Sequence, residues 1–158
     1  MRAALAACVD SGVAIGAHVS YRDREGFGRR TLDVTPGQLA ADVVEQWEAL
    51  ASEAGAVGAT VAYVKPHGAL YNRMAVDADV AAVVVNALSA HCGVLVGPPA
   101  NAAAGRARSA RVRLVAEGFC DRGYDDRGLL VPRGHDRALF DDPGAAGSQA
   151  HSLALDGG

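Results

Sequence analysis

Val64-Lys65-Pro66-His67-Gly68-Ala69-Leu70-Tyr71-Asn72 follows an apolar run, 59–64, of strand type and precedes a long Ala- and Val-rich segment of helical type. The change from strand to loop at Lys65 puts polar residues just past a strand's carboxyl end. That is where α/β folds collect ligands and catalytic groups. Lys65 is also the single lysine of the chain, which otherwise uses arginine for its positive side chains. A bias toward arginine explains the missing lysines but not the one placed beside a histidine. The plain alternative is a surface lysine in a turn.

Outward from this stretch the chain alternates between helical and strand patterns. Residues 1–11 carry apolar groups at helical spacing and stop at Ser11-Gly12. The run 13–17 is of strand type and delivers His18. A polar loop of about twenty residues follows, from His18 to Gly37, and loops of that length at strand ends are uncommon unless functional or disordered. Thr35-Pro36 offers an N-cap and a first-turn proline for a helix to about Ala54, with Leu39, Val43, Trp47 and Leu50 on the face toward the sheet. Beyond the Lys65 loop, Asp77 opens a helix to about Ala90. Residues 93–97 read as a third strand ending in Pro98-Pro99-Ala100-Asn101, 102–107 as a short helix and 111–116 as a fourth strand. The run 129–131 is a candidate short strand, and 144–158 a weakly structured tail or a helix remnant.

The order predicts a parallel sheet with right-handed crossovers, its strands nearly all apolar as expected when helices cover both faces. Four strands are too few for an ordinary closed barrel of about eight. The expectation is therefore a small open sheet or part of a larger barrel, with residues 1–143 as one domain.

Composition narrows the function classes. An apolar fraction of 50% and a charged fraction of 21% suit a globular protein. The net charge of −3 gives no electrostatic case for a nucleic-acid partner or an anionic membrane. No apolar run reaches the roughly 18 residues needed to span a bilayer. Cys8, Cys92 and Cys120 lack CxxC spacing, so neither a disulfide framework nor a thiolate zinc site is indicated. A cytoplasmic location is the expectation. No P-loop and no strand-linked GxGxxG occurs.

Three strand ends carry polar clusters: His18 with Asp23, Arg24 and Glu25; Lys65 with His67; and Glu117 with Asp121 and Arg122. On the rim of a parallel sheet such ends can meet. Lysine and arginine there can hold a carboxylate or phosphate, and histidine and aspartate can move protons or hold a metal. Each has a structural alternative. His18 can be a hydrogen-bonded structural histidine, and Arg24 with Glu25 or Asp121 with Arg122 can be loop ion pairs. Nothing supplies Cys120 with a base, which argues against a nucleophile. His91, His135 and His151 are assigned to the surface or helix ends, and Tyr21, Phe27, Tyr71 and Tyr124 to loop packing.

The blocks 16–30, 64–72 and 117–124, followed by 128–133, resemble in order and nearly literally the signatures of the LamB/YcsF family. The resemblance implies an irregular (β/α) barrel of the glycoside hydrolase/deacetylase type. It also implies the role of the A subunit in an ATP-dependent 5-oxoprolinase, which opens 5-oxoproline to L-glutamate alongside partner subunits B and C. The family usually has proline where this chain has Val19 and Arg22, a departure expected to loosen the first loop. Family members also begin with an acidic strand and a Cys-Gly-Phe-His-Ala-Gly-Asp segment, and end with a His-Gly-Asp segment. None of these is found here, so the chain reads as an internal fragment of a barrel of about 250 residues. In that setting His18, Lys65, His67 and Asp121 are the expected catalytic residues. Arg24, Arg122 and Asn72 are the expected substrate or phosphate ligands. His18 is a candidate ligand for a divalent metal whose other ligands lie on the absent strands. ATP is expected to bind with, or mainly through, the partner subunits. The alternatives are a metal-dependent carbohydrate deacetylase and an inactive truncated or docking subunit.

Overall fold

The computed structural model describes residues 1–99 and 102–156; Ala100 and Asn101, in the loop expected after the third strand, lie outside them, as do Gly157 and Gly158. The elements run α1 (Arg2–Asp10), β1 (Ile15–Ala17), α2 (Pro36–Gly55), β2 (Val61–Val64), α3 (Gly68–Val76), α4 (Ala78–Ser89), β3 (Val94–Gly97), α5 (Ala102–Ser109), β4 (Arg113–Ala116) and α6 (Pro143–Asp156). Two compact units divide the chain, Met1–Val115 and Ala116–Gly158, a boundary that falls earlier than the one expected at 143.

The four strands form one sheet in the order β1-β2-β3-β4. β1 runs parallel to β2 with Ile15 opposite Val61 and Ala17 opposite Val64, and β2 runs parallel to β3 with Val64 opposite Leu95. Parallel neighbours in sequence order, joined by crossovers of one hand, place successive helices on the same face. Accordingly α2 packs on α4 and α4 on α5. Between that helical layer and the sheet lies the core, with Val43, Leu70, Ala81, Val84 and Val64 almost fully enclosed. Leu39 and Val43 of α2 are buried in it and Trp47 and Leu50 pack against it, the predicted face. A doubly wound sheet would reverse its strand order at a switch point; this one does not.

The caps follow from the residues that form them. The Thr35 hydroxyl accepts from Gln38 N at 3.2 Å with Pro36 in the first turn. The Asp77 carboxylate accepts from Asp79 N and Val80 N at 3.0 and 3.1 Å. One helix was not foreseen, α3, which begins at Gly68 where a loop was expected. His67 stands at its N-cap without a side-chain cap bond, so the usual starting signal is missing. In place of a strand at 129–131 there is a single bridge, Tyr124 with Leu130.

In the second unit α6 is more than a frayed remnant. Its Gln149 amide donates to the carbonyls of Phe119 and Arg122, both at 2.7 Å, and so fastens the helix to the loop after β4. Among the described residues no helix is long and apolar enough to cross a membrane.

Candidate active site

The parallel ladder continues past the ends of β1 and β2. Lys65 N donates to Ala17 O at 2.9 Å and His67 N to Val19 O at 2.8 Å. Two more rungs of parallel pairing bring residues 49 positions apart side by side. Nε2 of His18 and Nδ1 of His67 lie 2.9 Å apart, with the rings edge-on at a centroid separation of 4.7 Å.

The outer ring nitrogens are held by backbone carbonyls. Nδ1 of His18 donates to Lys65 O at 2.9 Å, and Nε2 of His67 donates to Phe27 O at 2.9 Å. A carbonyl oxygen can only accept, so both outer nitrogens carry their hydrogens. The two inner nitrogens then face each other with lone pairs, and one proton between them satisfies both. The pair is a seat for a single transferable proton, oriented by carbonyls from two different loops.

Those loops are themselves fixed. Asp23, 5% exposed, closes the 23–30 loop. It accepts from Gly26 N at 2.9 Å, Arg30 N at 3.1 Å and Arg30 Nε at 2.9 Å. The hydrogen-bonded Arg30 guanidinium, helped by these backbone N–H groups and opposed by burial, holds the Asp23 carboxyl at about 2. The loop's tip docks on the turn after β2, where Ala69 N donates to Gly28 O at 2.9 Å. Gly28 and Gly68 both have positive φ, 68° and 56°, and a Cβ on Gly68 would run into the Gly28 carbonyl oxygen. The looseness expected from Val19 and Arg22 does not occur. Val19 is 1% exposed in the core, and Arg22 Nε binds the buried Asp42 carboxylate at 2.7 Å.

A cleft of about 520 Å3 opens over the pair, and His18, Arg22, Asp23, Arg24, Phe27 and His67 line it. Gln46, which sequence reading passed over, also lines it; its amide brackets Ser20, accepting from Ser20 N at 3.0 Å and donating to Ser20 O at 2.9 Å. A glutamine inside an amphipathic helix carries no sequence signal for that role.

Of the expected site residues, the structure brings together His18, His67 and Arg24, with the Lys65 carbonyl holding His18. Asn72 is exposed on α3. Asp121 and Arg122 belong to the second unit. There Asp121 is exposed, while Arg122, only 7% exposed, donates through Nε to Ala138 O at 3.0 Å and through a terminal nitrogen to Val131 O at 2.8 Å. Burial first, then the charge of Arg133, push its pKa down. This guanidinium ties a loop together, in contrast with the anion-clamp role expected of it. Asp121 does not cap it as an ion pair either; its backbone carbonyl accepts from Phe140 N at 3.0 Å. Tyr21 and Tyr71 are buried as expected, but Phe27 is 69% exposed, its ring beside His67 and under the guanidinium of Arg29 from its own loop. Among the described residues no group of three or more His, Cys, Asp or Glu side chains is arranged to hold a metal ion. His18 has both ring nitrogens hydrogen-bonded, which leaves no lone pair pointing elsewhere.

A sequentially ordered parallel sheet, covered by one helical layer and bearing a histidine pair in a cleft at its strands' carboxyl ends, defines an α/β protein whose site is built from the loops that follow its strands. The chain belongs to the LamB/YcsF family, whose model matches residues 1–158. The 5-oxoprolinase A subunit of Streptomyces griseus is 48% identical over 145 residues, covering 90% of this chain and 58% of the relative. The one from Streptomyces avermitilis is 46% identical over 157 residues, covering 98% and 62%. The crystal structure of a lactam utilization protein from Thermus thermophilus is similar with a TM-score of 0.89 and 35% identity, over 99% of this chain and 64% of that one. The chain thus spans about three fifths of the length of these relatives.

Proposed function

We propose that this chain contributes the A-subunit site of an ATP-dependent 5-oxoprolinase, opening 5-oxoproline to L-glutamate in a cytoplasmic complex with subunits B and C. The observation that carries the reading is the His18–His67 pair, a one-proton seat set in a cleft that Arg22 and Arg24 also line. The names of the relatives, all similar over nearly the whole of this chain, support the substrate class.

The chemistry suits that arrangement. A five-membered lactam is an unactivated amide, and ATP supplies activation by phosphorylating its carbonyl oxygen. No phosphate-cradling loop occurs in this sequence, so ATP is assigned with the partner subunits. Water then adds to the carbonyl carbon while one of its protons passes to the seat between Nε2 of His18 and Nδ1 of His67. The same proton goes to the lactam nitrogen as the C–N bond breaks, which leaves the pair as it began and the opened chain as γ-glutamyl phosphate; a second water then cleaves this acyl phosphate to L-glutamate and inorganic phosphate. Arg24 faces the same cleft and is the guanidinium assigned to the substrate carboxylate, a role suited to its fork of donors. Lys65 acts through its carbonyl, which fixes the His18 ring. No step is assigned to a metal.

The test is glutamate released from 5-oxoproline and ATP by this chain mixed with subunits B and C, with the S. griseus relative as positive control. Release above the blank without the chain is the expected result. No release, with the control active, would overturn the proposal for this chain.

A further inference from the structure

Phe27 combines three features that are hard to reconcile with loop packing. Its φ is 55°, in the left-handed region that bulky residues avoid. Its side chain is 69% exposed. Its backbone, however, is held tightly. Phe27 N donates to Arg24 O at 3.3 Å, its carbonyl accepts from Nε2 of His67, and the next residue, Gly28, donates to Asp23 O at 2.8 Å and accepts from Ala69 N at 2.9 Å. The exposure is therefore that of an anchored ring. Orienting His67 needs only a carbonyl at position 27, and glycine would supply it without steric cost, as glycine does at the neighbouring left-handed position. What phenylalanine adds is the ring.

The ring stands over the site. The phenyl and the His67 imidazole are T-shaped, with centroids 5.5 Å apart and planes at 85°, and the Arg29 guanidinium lies 5.4 Å from the phenyl centroid. An apolar face with an arginine on it and a proton-handling pair at its foot matches a small ring that carries an amide and a carboxylate. The ring's methylene groups would lie on the phenyl, the carboxylate toward Arg29 or Arg24, and the amide toward His18 and His67. We propose that Phe27 is the specificity-determining wall of the cleft, binding the apolar face of a small cyclic amide acid. The substrate class rests on the function proposed above; the wall itself rests on the geometry of Phe27.

The test is titration of 5-oxoproline, and separately of L-glutamate, into the chain with subunits B and C, read by calorimetry alongside thermal unfolding. For the parent, tighter binding of 5-oxoproline than of L-glutamate is expected. Phe27→Ala should weaken 5-oxoproline binding about tenfold and narrow the preference over the open-chain acid, because only the ring compound uses the wall. Phe27→Leu should stay within about threefold. Phe27→Gly separates binding from folding: relief of the left-handed phenylalanine should raise the unfolding temperature while binding falls as in the alanine variant. A purely structural Phe27 would instead lose stability and keep its affinity. If the parent binds 5-oxoproline and Phe27→Ala and Phe27→Gly bind it equally well, the wall is overturned alone. If the parent does not bind 5-oxoproline at all, the substrate reading is overturned and with it the ligand named here.

Discussion

The histidine corner of the first unit and the Arg122 knot of the second are built from similar materials and end in opposite uses. Both are loops after a parallel strand, and both are rich in arginine, aspartate and glycine. At Arg122 the charged group turns inward and donates to two backbone carbonyls, Ala138 and Val131, so that its function is the loop's own closure. In the corner the closure falls to Asp23 and Arg30, while His18, His67, Arg24 and Phe27 face the cleft. The difference lies in which residue does the folding. A buried carboxylate that gathers N–H groups leaves the other polar side chains available; a buried guanidinium that gathers carbonyls is itself no longer available.

The largest expected effect tests the corner as one unit. His67→Ala and His18→Ala should each lower glutamate release by the complex about 10²–10⁴-fold, the range of a general acid–base group. The double variant should be no worse than the worse single one, because a proton seat shared by two rings is lost when either goes. Multiplicative losses would mean two independent roles. Next comes the knot. Arg122→Met removes donors from two buried carbonyls and should cost about 2–4 kcal/mol in urea unfolding, with Arg122→Lys recovering part of it. Unchanged stability with lost turnover would restore the anion-binding role that the sequence suggested for Arg122.

Much of the architecture was readable in advance because its signals are local. Thr35-Pro36 and Asp77 mark helix starts through their own side chains, and the apolar runs at 13–17, 59–64 and 93–97 are long enough to be strands. Strand-end adjacency likewise put the His18 cluster and the Lys65–His67 cluster on one rim, together with the cluster of Glu117, Asp121 and Arg122. The features that escaped reading depend on backbone sign or on distant carbonyls. Helix α3 starts at a left-handed Gly68 with no capping side chain, so its beginning looks like loop. Phe27 looked like a packing residue because nothing in Gly26-Phe27-Gly28 discloses a positive φ at the phenylalanine. Arg122 stands next to Asp121 in sequence, which suggests an ion pair; its partners come from an irregular segment that carries no pattern. The boundary at Val115 was also hidden, because β4 continues directly into the second unit.

The interlock between the two loops of the corner can be broken at one point. Gly68→Ala forces a Cβ onto a left-handed residue facing the Gly28 carbonyl oxygen, a backbone neighbour that cannot rotate away. A loss of about 1–3 kcal/mol in urea unfolding is expected, and because Ala69 N to Gly28 O is strained with it, the 23–30 loop should become protease-sensitive first. A full-stability variant would mean the loops dock less tightly than their geometry implies.

The smallest effect disappears in acid and isolates the carboxylate that makes the corner possible. Asp23 titrates at about 2 in the folded chain against 3.8 for an ordinary aspartate, chiefly because the Arg30 guanidinium is hydrogen-bonded to it. A depressed folded value means that the stabilisation is complete above pH 3.8 and is lost as pH falls from there through about 2. Asp23→Asn cannot make this transition. Thermal unfolding should therefore show the variant less stable than the parent at neutral pH, with the gap closing between about 4 and about 2. Curves that stay parallel through that window would mean another acidic group holds the loop. Glu25, which reaches Arg30 at 3.5 Å from an exposed position, would then be the one to replace next.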